Sequence, residues 1–466
     1  MTELLKSFPQ LCYLAASVLF VLGLKRLSSP KTARSGNGLA ALGMALAVGG
    51  TMFLPGIENF AWIAAAVAIG TIPGWKAARS VPMTAMPQMV SIFNGMGGAC
   101  ALFISVAEFL KHGAESSDAA LFGILLGTAF GAVSFTGSII AYGKLQGIVS
   151  EKQVRIPFQS LVGALLAGTL LFCSAYVLAS GDPQAASPAF YAVAAIALVL
   201  GVLQVLPIGG ADMPVVISVL NSCTGMAAAV TGFSMRNMSM IIAGTLVGAA
   251  GSFLTLLMCK AMNRSLANVL FGSFGSKNIG ASGPVGAGGG IQREINASET
   301  AVLMAYSRRV IIIPGYGLAV AQGQHLVHEL DQLLEKKGVD VKYAIHPVAG
   351  RMPGHMNVLL AESNVPYPKL IDLDEINPEF KQADVALVIG ANDVVNPAAR
   401  TDRASPIFGM PILDADHAQH IIVMKRGRGV GFAGIDNGLF YDAKTRMLFG
   451  DAKATLKELV SELKAL

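Results

Sequence analysis

The stretch "RRVIIIPGYGLAVAQGQ", residues 308–324, decides the fold of the C-terminal part of the chain. It begins with two arginines, continues as an apolar strand, and turns at Gly315 and Gly317 into a segment typical of a helix. A dinucleotide-binding βαβ unit begins in this way, because the first glycine permits a tight turn and the second permits close approach of a pyrophosphate. The sixth position of that fingerprint is Val320, and a small residue comes one position later, at Ala321. A plain strand–helix turn is the alternative interpretation.

Strand-like runs alternate with helical or irregular segments along this part of the chain. They cover residues 309–314, 339–345, 384–390 and 420–424. Strands that alternate with helices favour a parallel sheet with helices on both faces. We therefore predict an α/β Rossmann-like domain with a parallel sheet over residues 291–466, a length sufficient for one such domain.

The end of the second strand indicates which dinucleotide this domain would bind. An NAD-binding unit ends that strand on Asp or Glu, which bonds the ribose 2′-hydroxyl. Here the strand ends on His346 and Pro347, and Asp340 lies at its start. The stretch "VMKRGRGVGF" then supplies three basic side chains beside glycines, namely Lys425, Arg426 and Arg428. Basic side chains next to exposed backbone N–H groups suit a phosphate, so NADP(H) is the predicted nucleotide.

Asp393 lies in "VIGANDVVNPAAR", residues 388–400, directly after another predicted strand. Ligands of α/β folds bind at this edge of the sheet. Asp393, flanked by Asn392 and Asn396, is therefore a candidate to bond the ribose or the nicotinamide amide. Capping of a following helix is the alternative role for its carboxylate.

The N-terminal part of the chain has the composition of a membrane protein. The whole chain is 53% hydrophobic and 14% charged, whereas an average soluble domain is about 25% charged. Nine apolar segments have the length of a membrane span, about 20 residues. They are 9–25, 38–55, 59–75, 86–110, 119–143, 158–180, 187–207, 212–233 and 238–260. We predict a polytopic α-helical membrane domain of nine spans over residues 1–264.

Charged residues in the predicted loops set the orientation of these spans. Eleven basic residues, Lys144 among them, fall on one side and three on the other, which predicts the first side to be cytoplasmic. The N-terminus is then outside and the C-terminal domain cytoplasmic, and we expect the first span to be retained rather than cleaved as a signal peptide. The basic excess lies in the apolar part, so it gives no indication of nucleic-acid binding. All five cysteines also lie in apolar runs, without metal-ligand spacing, so we predict neither disulfides nor a metal site.

Two of the predicted spans resemble each other. "MPQMVSIFNGMGG" begins at Met86 and "MPVVISVLNSCTG" at Met213, and each places an asparagine eight residues later, at Asn94 and Asn221. Either these asparagines bond neighbouring helices, or they share a polar path through the membrane. Asp212 precedes the second motif, where it either caps the helix or lies at the mouth of a proton path.

A glycine-rich stretch separates the two parts of the chain. Residues 272–290 read "GSFGSKNIGASGPVGAGGG" and include eight glycines. Such a composition has low stiffness. We therefore predict a linker over residues 265–290.

Several long motifs together resemble a known family. They are "PGYGLAVAQ", "HPVAGRMPGHMNVLLAE", "GANDVVNPAA", "GMPIL", "KRGRGVGF" and "LFGDAK" in the C-terminal part, with "GGADMPVVISVLNS" and "FTGSIIAYGKL" in the apolar part. These motifs are similar to those of the β subunit of proton-translocating NAD(P) transhydrogenases. The resemblance extends along essentially the whole chain.

This resemblance implies that the C-terminal domain binds NADP(H), in reversed orientation over the sheet, with Lys425 and Arg426 on the 2′-phosphate. The residues implied to bind the cofactor are Gly315, Tyr316, Gly317, Val348, Ala349, Gly350, Arg351, Met352, Pro353, Gly390, Ala391, Asn392, Asp393, Val394, Gly409, Met410, Lys425, Arg426, Gly427, Arg428, Gly429, Val430, Gly431, Phe432, Asp451 and Ala452. In the membrane domain it implies a proton path through Ser138, Asp212 and Asn221, with Asn94 at the corresponding position of the first repeat.

Two residues depart from the family pattern. Many members have histidine at the position of Asn94, whereas His112 is the only histidine in residues 1–264. Three-subunit members are similar in this respect, since a small partner membrane subunit supplies the histidine. Gly427 stands where a hydroxyl residue often follows the Lys–Arg pair, and Arg428 is the candidate to compensate.

The resemblance predicts hydride transfer from NADH to NADP⁺ coupled to inward proton movement across the cell (inner) membrane. Hydride passes directly between nicotinamides, so no catalytic side chain is expected. NAD(H) would bind an α subunit, which also carries the remaining membrane helices, in a dimer of αβ units embedded in the lipid bilayer. The alternatives are a channel or transporter gated by a nucleotide-sensing domain, or a membrane-anchored NADP dehydrogenase. No channel selectivity motif and no acid–base constellation is found in the sequence to favour either.

Overall fold

The computed structural model describes residues 2–54, 57–113, 117–150, 154, 158–180, 183–209, 212–263, 265–271, 292–352, 354–405, 407–431 and 433–466. The chain divides into two compact units, Met1–Thr255 and Leu256–Leu466. Of the predicted linker, residues 266–271 form a short helix, and residues 272–290 lie outside the described residues.

The N-terminal part is helical. In the part of the chain that the structure describes, nine helices of 21 to 28 residues follow one another: α1 Thr2–Leu27, α2 Pro30–Met52, α3 Phe60–Ser80, α4 Met86–His112, α5 Asp118–Leu145, α6 Gln159–Ser180, α7 Pro183–Val205, α8 Met213–Ser234 and α9 Met238–Ala261. Eight of them are long and apolar enough to cross a membrane, and α2 does not reach that hydropathy. Ser35, Asn37 and several glycines reduce the apolar character of α2. The prediction of nine membrane spans therefore stays a prediction, with eight candidate helices among the described residues.

The two similar sequence motifs begin two similarly packed helices. Helices α4 and α8 both start at the Met of their motif, with Pro as the second residue. Ser91 donates its hydroxyl to the Ser138 carbonyl of α5 at 2.8 Å, and Ser218, five residues into the second motif, donates to the Gly251 carbonyl of α9 at 3.1 Å. The sequence repeat thus corresponds to a repeated contact between a helix and the helix that follows it.

Glycines allow the backbones to approach closely at both contacts. A Cβ atom on Gly98 would lie 2.8 Å from the Gly131 carbonyl oxygen of α5, and a Cβ atom on Gly225 would lie within 3.0 Å of Gly248 and Gly244 of α9. Small residues at helix interfaces are typical of membrane helix packing, since dispersion contacts and hydrogen bonds replace the hydrophobic effect there.

The C-terminal unit contains a six-stranded sheet. Its strands are β1 Arg309–Pro314, β2 Asp340–Ile345, β3 Leu370–Asp372, β4 Val385–Ile389, β5 His420–Lys425 and β6 Thr445–Phe449. Their order is β3-β2-β1-β4-β5-β6, and every neighbouring pair is parallel. The predicted parallel sheet is confirmed. Strands β3 and β6 are additional to the four strands that the sequence predicts.

Helices accompany the strands through the unit. They are α10 Leu266–Phe271, α11 Ala297–Ala305, α12 Tyr316–Val320, α13 Gln324–Lys336, α14 His355–Glu362, α15 Leu373–Ile376, α16 Ala398–Thr401 and α17 Ala452–Ala465. Alternate side chains of β1 enter two different cores: Val310 packs with α13 and α17 residues, and Ile311 packs with Ile376 and Phe380. Because successive strand side chains point to opposite faces, a strand covered on both faces reads as the continuous apolar run "VIII".

The order of the strands reverses between β1 and β4. The chain continues from β1 to β2 on one side and from β4 to β5 on the other. In open parallel sheets, ligands bind outside the carboxyl ends of the strands at such a point. A ligand-binding site is therefore expected at the carboxyl ends of β1, β2, β4 and β5.

Candidate functional site

The glycine turn after β1 contacts the turn after β4. Gly315 N–H donates to the Ile389 carbonyl and Gly317 N–H to the Gly390 carbonyl, both at 2.9 Å. A Cβ atom on Gly317 would lie 2.7 Å from Gly390 Cα, and Gly390 itself has a φ of +65°. These glycines, which the sequence predicts to form a pyrophosphate-binding turn, therefore hold the turn after β1 against the turn after β4. The helix predicted to follow is also divided, since α12 has only five residues before α13 begins.

The end of β2 is held by a neutral histidine. His346 is 2% exposed, its Nε2 lies 2.8 Å from the Pro411 carbonyl, and its Nδ1 accepts the Val348 N–H at 3.2 Å. Burial lowers the pKa of His346 to about 4, against the opposing effect of the bond to Pro411. A ring protonated only on Nε2 makes both bonds. His346, which stands where an NAD-binding unit has an acid, therefore fixes the loop after β2.

The acid at the other end of β2 takes no part in this edge. Asp340 pairs with Arg309 across the first residues of β1 and β2, with 2.7 Å between Oδ2 and Nε. Both residues lie at the amino ends of parallel strands. The placement of Asp340 away from the carboxyl edge agrees with the sequence reading.

The segment after β5 folds over the turn after β4. Asp393 Oδ2 accepts the Ala433 N–H at 2.9 Å, and the Asn437 amide donates to both the backbone carbonyl and the side-chain oxygen of Asn392 at 3.0 Å. Asn396 donates to the Asp436 carbonyl at 3.0 Å. This contact joins two loops and differs from both predicted roles of Asp393, which are nucleotide binding and helix capping. The sequence does not predict Asn437 as a residue of this site, because its partner Asn392 lies 45 residues earlier in the chain.

The three basic residues after β5 have different surroundings. The Lys425 ammonium donates to the Gly429 carbonyl and lies 4.6 Å from the centre of the Phe440 ring. Burial lowers the pKa of Lys425, and Asp436 and Asp393 oppose that shift. The side chain of Arg428 is 74% exposed and pairs with Glu294 at 3.4 Å. Arg426 is exposed to solvent.

The remaining predicted nucleotide contacts lie in three places. Arg351 places its guanidinium carbon 4.7 Å from the centre of the Tyr316 ring. Gly409 and Met410 precede Pro411, the residue bonded to His346. Asp451 accepts the N–H groups of Lys453 and Ala454 at 3.1 Å, so it caps α17. This capping role was not considered from sequence, although an Asp before an apolar helical pattern is its usual signal. Pro353 and Phe432 lie outside the described residues.

A buried polar cluster joins three helices of the N-terminal unit. Asn94 of α4, 9% exposed, donates its amide to the hydroxyls of Ser138 at 2.9 Å and Ser134 at 3.3 Å, both on α5. Ser134 in turn bonds Thr224 of α8 and the Leu220 carbonyl. The structure thus brings Asn94 and Ser138 together. Ser134 was missed, although it lies one helical turn before Ser138.

The other two residues of the predicted proton path lie on or before α8. Asp212 is buried at the N-cap position of α8, and its side chain makes no capping hydrogen bond. Asn221 is half-buried, about 13 Å farther along the helix axis at 1.5 Å per residue. Thr224, one turn beyond Asn221, is the α8 residue that enters the polar cluster.

Lys144 is not a loop residue. It lies in the last turn of α5, fully buried, and its ammonium donates to the carbonyls of Leu206 at 2.5 Å and Ile208 at 2.6 Å. These carbonyls follow the C-terminal end of α7, where the helix dipole favours a cation. Lys144 therefore has to be removed from the eleven loop charges used to predict orientation.

Comparison with known proteins places this chain in a family. The family described as NAD(P) transhydrogenase beta subunit matches residues 9–462. Two curated relatives from Rhodospirillum rubrum, each named NAD(P) transhydrogenase subunit beta, are 47% identical over 464 residues, which is 98% of this chain and 99% of theirs. A two-part chain with apolar helices and a parallel sheet fits this match. The chain belongs to the NAD(P) transhydrogenase beta subunit family.

Membership establishes the coarse function. The chain is a component of a transhydrogenase enzyme, and its family implies binding of a nicotinamide nucleotide and the existence of an alpha partner. Its apolar helices agree with a membrane protein.

Proposed function

We propose that the C-terminal unit binds NADP(H) at the carboxyl edge of the sheet and exchanges hydride with NAD(H) held by an alpha subunit. The observation that carries this proposal is the reversal of strand order between β1 and β4, with Lys425 and Arg426 at the end of the adjacent β5. The order β3-β2-β1-β4-β5-β6 is that of the dinucleotide-binding Rossmann fold, which supports the Rossmann-like assignment. Residues 291–466 would be the NADP(H)-binding domain.

The three basic residues after β5 would have different roles in binding the 2′-phosphate. Lys425 already bonds Gly429 within its own loop, so it would shape the loop as well as attract an anion. Arg426 is exposed and carries a planar fork of donors suited to a phosphate. Arg428, paired with Glu294, is the candidate to compensate for the absence of a hydroxyl at Gly427. The other residues named from the family resemblance would contact the rest of the nucleotide.

The nicotinamide nucleotides supply the hydride chemistry themselves, so the chain's own residues would bind and orient. His346 and Asp393 hold the loops at the carboxyl edge in fixed positions. Fixed loops would keep the nucleotide in one geometry, which is the protein's contribution to a direct transfer.

The helical unit would conduct protons inward. The proposed path includes Asn94 and Ser138, which belong to a buried cluster of polar groups on α4, α5 and α8. Asp212 and Asn221 would complete the path, with residues 1–264 as the proton-conducting domain and 265–290 as a flexible connection. The N-terminus would face outward, the C-terminal domain would be cytoplasmic, and two αβ units would form a dimer.

Nucleotide preference of the full-length chain tests the binding proposal. We would titrate the detergent-purified chain with NADP⁺ and with NAD⁺ by calorimetry, alone and as Arg426→Ala. One charge-assisted hydrogen bond is worth about 1.5–3 kcal/mol, so NADP⁺ affinity should fall roughly 10- to 100-fold, with NAD⁺ affinity unchanged. Lys457→Ala, on the exposed face of α17, is the matched control. Equal affinity of the unaltered chain for both nucleotides would refute the proposal and favour a nucleotide-gated channel.

Proton coupling is tested separately at Asp212. In vesicles that contain the assembled enzyme, Asp212→Asn should reduce proton uptake together with coupled turnover. Full coupled turnover in that variant would remove Asp212 from the path.

A further inference from the structure

The segment between β2 and α14 rests on a buried imidazole. His355, the first residue of α14, is 1% exposed, and its Nδ1 accepts the Arg351 N–H at 3.0 Å. The ring also lies directly against Gly350, because a Cβ atom placed there would be 2.4 Å from Nδ1. Gly350 has a φ of +108°, a conformation that other residues adopt rarely. The positive φ of Gly350 and the absence of a side chain there leave the space that the His355 ring occupies.

The same segment carries a side chain of the candidate site. The Arg351 guanidinium lies 4.7 Å from the Tyr316 ring centre, and the Tyr316 and His355 rings are 6.4 Å apart. Movement of the Arg351 backbone would move its guanidinium relative to Tyr316. The hydrogen bond from the Arg351 N–H to His355 Nδ1 therefore influences how the Arg351 guanidinium lies against the Tyr316 ring of α12.

The imidazole can act as acceptor only while Nδ1 lacks a proton. Burial lowers the pKa of His355, and the Arg351 guanidinium lowers it further. The positive end of α14 acts in the same direction. The Arg351 guanidinium acts on the ring through its charge, and the titratable Tyr316 side chain faces the ring at the distance given above. The neutral form is therefore the resident one, with its proton on Nε2.

We propose that His355 is a positioning residue of the nucleotide site: its Nδ1 holds the Arg351 backbone, and its ring fills the space that Gly350 leaves, so that Arg351 and Tyr316 are fixed for the nucleotide. This inference rests on the proposed nucleotide site at the carboxyl edge. His355 touches no part of the nucleotide in this role. It should affect affinity for any bound dinucleotide, and it should leave the choice between NADP(H) and NAD(H) to the basic residues after β5.

Two substitutions of His355 distinguish its hydrogen bond to the Arg351 backbone from the space that its ring fills. His355→Asn keeps an acceptor near the position of Nδ1, whereas His355→Gln places its amide near Nε2. We would measure NADP⁺ and NAD⁺ affinity of the full-length chain by calorimetry for both variants and for His355→Ala. His420→Ala, at the exposed amino end of β5, is the control.

Loss of a buried hydrogen bond should weaken NADP⁺ binding by about tenfold or more in the Ala and Gln variants, and the Asn variant should stay within roughly threefold of the unaltered chain. The ratio of NADP⁺ to NAD⁺ affinity should not change. Equal effects of Asn and Gln, or an unchanged affinity in all three, would overturn the inference, as would an effect on the ratio alone. Because Asn and Gln are compared with each other, instability of the Ala variant does not decide the result. Failure of the proposed function is seen independently, as an unaltered chain without preference for NADP⁺.

Discussion

In the helical unit Gly98 of α4 meets Gly131 of α5, and in the sheet unit Gly317 after β1 meets Gly390 after β4. The helices bond their own backbones internally, so their glycines only allow close packing, and the same contact recurs between α8 and α9. The turns bond each other, through Gly317 N–H and the Gly390 carbonyl, and Gly390 needs a positive φ. A side chain added at the helix pair can be accommodated by a small shift of one helix relative to the other. A side chain added at the turn pair cannot, because the two turns are hydrogen-bonded to each other and Gly390 has a positive φ.

The largest expected effect is at the sheet edge. Gly390→Ala would place a Cβ atom 2.5 Å from Gly317 Cα in a conformation that alanine disfavours. Strain and overlap together should lower the free energy of unfolding of this unit by roughly 3–5 kcal/mol. Denaturant unfolding of the full chain, with Gly438→Ala as a control in open space, measures this. A loss no greater than that of the control would remove the distinction between the two glycine pairs.

The sheet edge should also respond to acid. His346 is neutral in the folded protein, with a pKa of about 4 against an ordinary 6.5. Stability should be complete above pH 6.5 and decline as the pH falls toward 4, by up to about 3 kcal/mol at 1.36 kcal/mol per pH unit. Unfolding measured across this range should show a shallower decline for His346→Gln than for the unaltered chain. His325→Gln, at an exposed histidine of α13, is the matched control variant. An equally steep curve for His346→Gln would contradict the assignment.

A glycine-to-alanine substitution at the helix contact should reduce stability less than the substitution at the sheet edge. Gly98→Ala adds a methyl group 2.8 Å from the Gly131 carbonyl oxygen, and helix displacement relieves part of the overlap. We expect a loss of roughly 1–3 kcal/mol. Unfolding in mixed detergent micelles measures this, with Gly163→Ala of α6, where the added atom meets open space, as the matched variant. If the loss equalled or exceeded that of Gly390→Ala, the adjustable-helix interpretation would be wrong.

The smallest effect separates the two asparagines of the repeat. Asn94 bonds the Ser138 hydroxyl. Ser91 donates to the Ser138 carbonyl and Ser218 donates to the Gly251 carbonyl, so Gly251 of α9 occupies the position equivalent to Ser138. Gly251 has no side chain that could bond Asn221. A double-mutant cycle of Asn94→Ala with Ser138→Ala should give a coupling energy of about 0.6–1.7 kcal/mol. The cycle of Asn221→Ala with Ser138→Ala should give a value near zero. Equal coupling energies would mean that the two asparagines are equivalent.

The elements of the fold were predicted largely from local patterns. Apolar runs identified the long helices, and the alternation around "RVIIIP" identified a parallel sheet, because both signals depend on neighbouring residues. Strand β3 was missed since only three residues form it, and the break between α12 and α13 was missed because Gln322 adopts a positive φ. The burial of Lys144 was missed because its acceptors follow α7, 62 and 64 residues later in the sequence.

The candidate site was predictable as a set of segments and less so as a set of contacts. Glycines and basic residues after strand ends indicated which loops meet at the carboxyl edge. The bonds that fix those loops, from His346 to Pro411 and from Asp393 to Ala433, join residues 65 and 40 positions apart. Such pairings depend on the completed fold, so no local pattern reveals them.

The bonds of Lys144 also carry a consequence for biosynthesis. Its nearer acceptor, the Leu206 carbonyl, is made 62 residues after the lysine, when α6 and α7 have been added. Lys144 can therefore complete these two bonds only after α6 and α7 have been synthesised, an order of assembly that the finished structure no longer displays.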